Sequence, residues 1–275
     1  TFFLVSLLAI PQFFWGWPRR QGNPDLLPFN HPVLLLGHHL SVASIWIFPF
    51  FITLDGWARK RFTQIAPAWA QIFSLLLGFL ILIFLYSRIL WIALPIGLAA
   101  WVLSAISRRA ALVTVFSLIL ATLLATQLPI VQQRWNNTRG QSDRWSLWAA
   151  NWQLFQERPM TGVGFGSPME AVRQYYLEIR PTWPSHFVGH AHNLYLEALT
   201  GTGVLGFLAL LIWIAALVGL LLKSLNAPHR SFALPIGLLC ALLVFLINGF
   251  TQVNLWEGKV FHQVAWMAGW ALSWK

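Results

Sequence analysis

The chain has 275 residues, of which 57% are hydrophobic and 9% are charged, and its mean hydropathy is +0.63. Because soluble domains carry about a quarter charged residues, this composition excludes a soluble globular domain and indicates a polytopic membrane protein. The formal net charge of +10 comes from basic residues that are dispersed among apolar runs and loops. Without a basic domain to hold a duplex, this charge does not indicate a nucleic-acid partner, and phosphate-bearing lipid is the favoured anion.

Cysteine usage and the start of the chain set further limits. The single cysteine, Cys240, lies inside an apolar run, so an intrachain disulfide is impossible and no cysteine-based metal site is indicated. The chain begins within an apolar segment and shows no initiator Met, basic n-region or cleavage site. We therefore expect a truncated first span and not a signal peptide.

Apolar segments of membrane-spanning length recur along the chain. A helix needs about 20 apolar residues to cross the hydrocarbon core of a bilayer, and somewhat fewer if its ends snorkel. Segments that fit this requirement lie at residues 1–15, 32–54, 69–86, 89–106, 110–130, 203–222, 232–253 and 260–274. The predicted fold is therefore all-α, a polytopic transmembrane helical bundle with a long external loop that contains short amphipathic helices.

This pattern divides the chain into three regions. The first five spans lie in residues 1–130, with the first one truncated at its N-terminus; a long hydrophilic loop covers 131–202; and the last three spans lie in 203–275. The short connections on one side carry eight Lys and Arg residues, against four on the other side. By the positive-inside rule the first side is cytoplasmic, which assigns the long loop to the external face.

The external loop begins with a predicted amphipathic helix. An apolar stripe suited to the membrane interface is formed by four aromatic residues at helical spacing, Trp145, Trp148, Trp152 and Phe155. The alternative is that the stripe packs against neighbouring spans, which is the more common role of such aromatics. Ser142 or Asp143 is expected to cap the N-terminus of this helix, and Pro159 is expected to end it.

A second helix and a glycine-rich turn complete the loop. Residues 167–170 read Ser-Pro-Met-Glu, a capping box with Pro at the first helical position, so a helix is predicted from here to about Arg180, before Pro181. Three alternating glycines precede it, Gly162, Gly164 and Gly166. They lack the Gly-Lys-Ser/Thr ending and the preceding strand of a nucleotide-binding loop, and are interpreted as tight-turn glycines.

Two arginines are candidate anion ligands. Arg144 falls in the first turn of the predicted loop helix, where free backbone N–H groups favour an anion and disfavour an unaccompanied cation. Salt bridges to Asp143 or Glu157 are the alternative. Arg88 follows Ser87 at the external end of the hairpin between the third and fourth spans, where a snorkelling arginine that holds the helix end in the headgroups is the alternative.

A cluster of histidines precedes the sixth predicted span. His186, His190 and His192 lie at the mouth of an apolar helix, and ionisable residues at membrane depth are functional candidates. Interfacial residues with backbone or headgroup partners are the alternative. No carboxylate pair or cysteine accompanies the three imidazoles, so no metal ion is expected. Glu197, five residues after His192, is a candidate for orienting that histidine or a substrate.

Two spaced motifs lie in this part of the chain. The first, within residues 144–164, reads Arg-x-x-x-Trp and then Pro-x-x-Gly-x-Gly. The second, within residues 192–206, reads His-Asn, nine residues, Gly, two residues and Gly. Together they resemble the signature of the O-antigen ligase and polymerase superfamily, membrane glycosyltransferases that use polyprenyl-diphosphate-linked glycans.

The resemblance implies roles for particular residues. His192 matches the candidate base of the family, and Arg144 matches an arginine that contacts the donor diphosphate. In the family a Ser-Arg pair that opens a span upstream of the loop supplies a second diphosphate-binding arginine, and Ser87-Arg88 matches it with the expected two spans between. The supporting positions implied by the resemblance are Ser87, Asn193, Gly203, Gly206, Gly162 and Gly164.

The resemblance also implies a reaction. It is an inverting transfer, without metal or cofactor, of a glycan from an undecaprenyl-diphosphate-linked donor to a hydroxyl of lipid A core, growing polysaccharide or protein. The expected location is the bacterial inner membrane, with the catalytic loop in the periplasm. The alternative is a transporter or transport-associated protein, since the superfamily includes proteins proposed to handle inorganic carbon in cyanobacteria. No internal repeat is evident and the apolar runs contain no acidic residue suited to proton coupling, which favours the transferase.

Overall fold

The computed structural model describes residues 7, 11, 39–63, 66–85, 87–105, 107, 109–110, 112–114, 116–117, 127, 132, 139–166, 168–179, 190–225 and 235–272. Within these residues the chain forms helices joined by turns, with no strand, which confirms the predicted all-α fold. The α-helices are α1 (His39–Ala58), α2 (Ala68–Phe84), α3 (Arg88–Ala105), α4 (Arg139–Glu157), α5 (Pro168–Ile179), α6 (Leu194–Leu225), α7 (Pro235–Asn248) and α8 (Gly258–Leu272), and a 3₁₀ helix covers Asn254–Trp256.

Three of the described helices are long and apolar enough to cross a membrane: Ser41–Ala58 within α1, α3 and α6. The apolar helices α2 and α7 are shorter, with 17 and 14 residues. The predicted spans at 1–15 and 110–130 lie mostly outside the described residues. A helix occupies each of the other predicted positions, and the total number of spans stays a prediction.

Helix α1 extends beyond the apolar run of the second predicted span. The apolar pattern ends the second span at residue 54, whereas α1 continues to Ala58 and includes the buried Asp55. Its Oδ1 accepts hydrogen bonds from the Trp101 indole N–H at 3.0 Å and from the Arg59 Nε–H at 2.9 Å. Because such bonds offset the cost of burying a carboxylate, an acidic residue is accommodated here. The apolar run 32–54 itself contains no acidic residue, but the longer helix α1 includes one.

The chain clusters into two compact units. The first comprises Thr1–Arg134, Gly219–Asn248 and Glu257–Lys275, and the second comprises Trp135–Val218 and Gly249–Trp256. In the first unit, α1 packs against α2, α7 and α8, and α7 also packs against α3. The contact between α1 and α7 includes the rings of Phe48 and Phe245, whose centroids are 5.6 Å apart. Packing of apolar helices against one another therefore forms the interior of this unit.

Only three residues separate the end of α2 at Phe84 from the start of α3 at Arg88. The Trp91 indole N–H donates to the Ile83 carbonyl at 3.0 Å, which ties the start of α3 to the end of α2. Ser87 is buried, and its carbonyl accepts the Trp91 backbone N–H at 3.1 Å. The pair Ser87-Arg88 therefore opens a helix, as the sequence predicts.

In the second unit, α4 and α5 pack side by side around an apolar core. Its buried members are Leu147, Ala150 and Leu154 of α4 and Val172 and Tyr176 of α5. The Tyr175 hydroxyl donates to the Glu157 carboxylate, and this hydrogen bond raises the pKa of the hydroxyl above its ordinary value. α4 ends before Pro159 and α5 begins at Pro168, as predicted. The predicted cap of α5, Ser167, lies outside the described residues.

The aromatic residues of α4 do not share one environment. Trp148 is partly buried against the apolar core. Trp145 and Trp152, in contrast, are 68% and 49% exposed. Both contact rings on the same helix, since the ring centroids of Trp145 and Trp148 are 5.0 Å apart and those of Trp152 and Phe155 are 5.2 Å apart. The predicted stripe therefore splits, and a role at the membrane interface stays a prediction for its exposed part.

Candidate active site

A break in α6 organises the second unit. Gly203 has φ 65° and ψ −169°, outside the helical region, so the helix divides there. Such a break leaves carbonyl groups before it and N–H groups after it without partners in the helix. Four backbone hydrogen bonds from the loop after α4 satisfy them: Val163 N–H to Thr200 O at 3.0 Å, Gly164 N–H to Gly201 O at 2.8 Å, Val204 N–H to Pro159 O at 2.8 Å and Leu205 N–H to Met160 O at 3.3 Å. This glycine loop, residues 159–164, therefore completes the hydrogen bonding of the broken helix.

The glycines of both motifs are required by the close approach of these segments. Gly162 and Gly203 have φ of 64° and 65°. A Cβ added to Gly162 would lie 2.5 Å from a backbone atom of α6, and one added to Gly203 would lie 2.3 Å from a backbone atom of the glycine loop. Any side chain at either position would force the two backbones apart. Positive φ at Gly164 and Gly166 as well, 112° and 78°, confirms the interpretation as turn glycines.

Asn193 caps the N-terminus of α6. Its Oδ1 accepts hydrogen bonds from the backbone N–H groups of Tyr195 and Leu196 at 3.0 and 3.1 Å. Asn at this position satisfies donors that the first turn of a helix leaves without partners. The Asn of the His-Asn pair therefore determines where α6 begins, directly after His192.

Two histidines lie together immediately before this cap. The ring centroids of His190 and His192 are 4.0 Å apart, with an angle of 63° between the ring planes, and both residues are half-buried. His192 has φ 47°, a left-handed conformation that residues other than glycine rarely adopt. Such a backbone conformation persists where the surrounding structure holds it, so the contacts of this segment determine where His192 lies.

The peptide groups between the histidines are held from two sides. Ala191 is fully buried, its N–H donates to Oε2 of Glu197 at 2.7 Å, and its carbonyl accepts the Trp148 indole N–H at 2.9 Å. Glu197 is itself only 2% exposed. The sequence named Glu197 as a candidate for orienting His192, and the observed contact is with the adjacent backbone. The sequence placed Trp148 in the aromatic stripe and in the first motif, but no local pattern identifies the carbonyl to which it donates.

Arg144 lies on the face of α4 that meets the histidine segment. α4 begins at Arg139, and residues 139–143 contain no proline that would prevent a helical backbone. Arg144 therefore lies beyond the first turn of the helix. The prediction that free backbone N–H groups of the first turn surround Arg144 is wrong. Glu157 is 13 residues further along this helix, about 20 Å at 1.5 Å per residue, which excludes a salt bridge between them. Trp148 lies one turn after Arg144. Its bond to Ala191 therefore brings this helix face to the histidines.

The predicted site residues divide between the two units. The second unit contains Arg144, Gly162, Gly164, His192, Asn193, Gly203 and Gly206. At Gly206 an added Cβ would lie 2.1 Å from the Thr202 hydroxyl oxygen, so the last glycine of the motif is also a point of close contact. Ser87 and Arg88 belong to the first unit, where Arg88 is half-exposed at the start of α3. Their assignment to the same site stays a prediction.

No group of three or more His, Cys, Asp or Glu side chains is arranged to bind a metal ion among the residues that the structure describes. His186, the third histidine of the cluster, lies outside the described residues. A reaction without metal therefore stays a prediction.

The long apolar helices define a helical membrane protein. Its polar site contains a histidine at the start of one helix, beside a second helix that carries an arginine. A family model described as O-antigen ligase matches residues 73–211, just over half of the chain, and this stretch includes every predicted site residue. The chain belongs to the O-antigen ligase family, which confirms the resemblance and makes it a membrane enzyme of the O-antigen ligase or polymerase type. A comparison with curated proteins finds no match.

Proposed function

We propose that this protein transfers a glycan from an undecaprenyl-diphosphate-linked donor to a hydroxyl of an acceptor at the external face of the bacterial inner membrane. Lipid A core sugars, growing polysaccharide and protein side chains all offer such a hydroxyl. The transfer requires neither a metal ion nor a cofactor. His192 acts as the base, and Arg88 and Arg144 bind the donor diphosphate.

The proposed reaction is a single displacement. A neutral ring nitrogen of His192 takes the proton of the acceptor hydroxyl while the acceptor oxygen forms a bond to the anomeric carbon. The bond from that carbon to the phosphate oxygen of the donor breaks, and polyprenyl diphosphate leaves with the electron pair. Arg88 and Arg144 offset the charge that develops on the leaving group. Because one displacement takes place, the configuration of the anomeric carbon is inverted.

The joining of the two family motifs in one framework supports this proposal most strongly. Four backbone hydrogen bonds connect the glycine loop to the break at Gly203. Asn193 caps the other end of the same helical segment, next to His192. A base must be held within reach of the hydroxyl in a defined geometry, and a histidine on such a framework meets this requirement.

The test is a transfer assay on the full chain in liposomes. The protein receives a polyprenyl-diphosphate-linked oligosaccharide and a mixture of acceptors, with a chelator present, and release of free polyprenyl diphosphate is followed. His192→Ala is expected to lower release at least about 100-fold, as loss of a general base does. His262→Ala is the matched control, because His262 is exposed and outside the motifs. Equal release from these two variants would rule out the base role.

The arginine roles are tested in the same assay. Arg144→Ala and Arg88→Ala are expected to reduce release strongly and to raise the KM for the donor, because each removes charge from the diphosphate. Arg173→Ala and Arg109→Ala are matched controls with exposed side chains on α5 and near the end of α3. If a site variant and its control behave alike, that arginine does not bind the donor.

A transport function is the second candidate, and Asp55 is the observation that favours it. A buried carboxylate in a candidate span is a group that proton-coupled transport uses. Its bonds to Arg59 and Trp101 suit a structural role equally well. Uptake of bicarbonate into the same liposomes tests this candidate. Uptake that is lost in Asp55→Asn, with no release of polyprenyl diphosphate, would replace the transferase proposal.

A further inference from the structure

The backbone between the two histidines is oriented by side chains from two helices. Each peptide unit is planar, so the Ala191 N–H belongs to the plane shared with His190 and the Ala191 carbonyl to the plane shared with His192. Glu197 of α6 accepts from the first plane at 2.7 Å, and Trp148 of α4 donates to the second at 2.9 Å. We call this arrangement of Trp148, Ala191 and Glu197 the Ala191 clamp. It determines the orientation of both planes.

The clamp acts directly on the conformation of His192. The φ rotation of His192 starts from the peptide plane that Trp148 holds, and the next residue, Asn193, is held by its capping bonds. The left-handed φ of 47° is unfavourable for an L-residue unless its surroundings impose it. Loss of the clamp would therefore let the backbone relax to negative φ and turn the imidazole away from its place beside His190.

The two hydrogen bonds of the clamp are buried, so water cannot readily replace them. Ala191 is fully buried and Glu197 is 2% exposed, and a buried group that loses its partner is strongly disfavoured. The Glu197 backbone N–H also closes the first turn of α6 on the Asn193 carbonyl at 2.9 Å, so cap and clamp share this turn. Among the described residues, the Glu197 carboxylate forms no salt bridge. Its observed role is that of an acceptor for a backbone N–H.

We propose that Trp148 and Glu197 are positioning residues that act through Ala191 to set the place and orientation of the His192 imidazole for proton removal. The inference rests on the base role proposed for His192. Neither Trp148 nor Glu197 offers the positive charge that would bind a diphosphate. Loss of either one therefore slows the chemical step and leaves donor binding unchanged.

The test measures kcat and the KM for the lipid-linked donor in the liposome assay. Trp148→Phe removes the indole N–H and keeps an aromatic ring, and Glu197→Ala removes the acceptor. Each is expected to lower kcat about 10- to 100-fold, the effect of misplacing a catalytic group by about 1 Å, with KM unchanged. Glu197→Gln keeps an acceptor oxygen for the Ala191 N–H and is expected to recover most of kcat. The matched controls are Trp152→Phe and Glu170→Gln, at exposed positions of α4 and α5.

A measurement of thermal unfolding separates positioning from loss of fold. If Trp148→Phe lowers the unfolding midpoint, the kcat of a variant with 3-benzothienylalanine at position 148 is measured instead. This residue replaces the indole N–H by sulfur and keeps the shape of the ring, so it removes the hydrogen bond without removing the packing. Wild-type kcat in a folded variant that lacks either bond, or a raised KM with unchanged kcat, would overturn the positioning role while leaving the base role intact. If His192→Ala leaves transfer unchanged, the base role of His192 is refuted, and the positioning role that rests on it is refuted as well.

Discussion

Replacement of Gly203 by alanine tests the framework of the site most directly. Gly203 has φ 65° and ψ −169°, a region essentially restricted to glycine, and another residue there costs about 1–3 kcal/mol. An added Cβ would lie 2.3 Å from the Met160 carbonyl carbon, which is backbone and cannot rotate away. The glycine loop must therefore move, with loss of up to four hydrogen bonds worth about 1 kcal/mol each. Complete separation would cost about 5–7 kcal/mol in all.

Thermal unfolding of the purified protein and limited digestion with chymotrypsin measure this effect. A loss of about 5 kcal/mol corresponds to a midpoint lowered by about 10 °C or more for a protein of this size. Cleavage after Phe165, a 70% exposed residue beside the glycine loop, should become faster as the loop detaches. Gly219→Ala is the matched control on the same helix, since no atom lies within 4 Å of its added Cβ. A Gly203→Ala variant that keeps the wild-type midpoint and cleavage rate would refute the reasoning.

Three further predictions concern stability and are checked by the same unfolding measurement. In Gly162→Ala the added Cβ would lie 2.5 Å from a backbone atom, so this variant should strongly lower the midpoint of thermal unfolding. In Gly166→Ala no atom lies within 4 Å of the added Cβ, so only the positive φ is unfavourable and the cost should be about 1 kcal/mol. Asn193→Ala removes the cap of α6 and should cost about 1 kcal/mol, most of which Asn193→Ser should restore. Asp55→Ala leaves the buried Trp101 indole N–H without this acceptor and should cost about 1–3 kcal/mol, whereas Asp55→Asn should cost less; equal costs would contradict the role of this bond.

The helices were predictable from sequence where a local signal determines both ends. The apolar run 89–106 corresponds to α3, and Pro159 marks the end of α4 as expected. The predicted end of the second span was wrong, because the helix accommodates a charged residue after the apolar run. α1 runs through Asp55, whose carboxylate accepts a hydrogen bond from the Trp101 indole N–H, whereas a local pattern treats a charged residue after an apolar run as an end.

The sequence also predicted which residues belong to the candidate site, but it did not predict the contacts that position them. The motifs contain Gly162 and Gly203 without revealing that their backbones touch, because that contact joins segments far apart in the chain. Trp148 and Glu197 both form hydrogen bonds with the backbone of Ala191. Because these bonds involve backbone groups, they do not depend on which residue type occupies position 191. The sequence includes Trp148 in the first motif and offers Glu197 as a candidate for orienting His192, but neither pattern identifies the Ala191 backbone as the point of contact. The two hydrogen bonds that join Trp148 and Glu197 to this backbone are therefore found only from the fold.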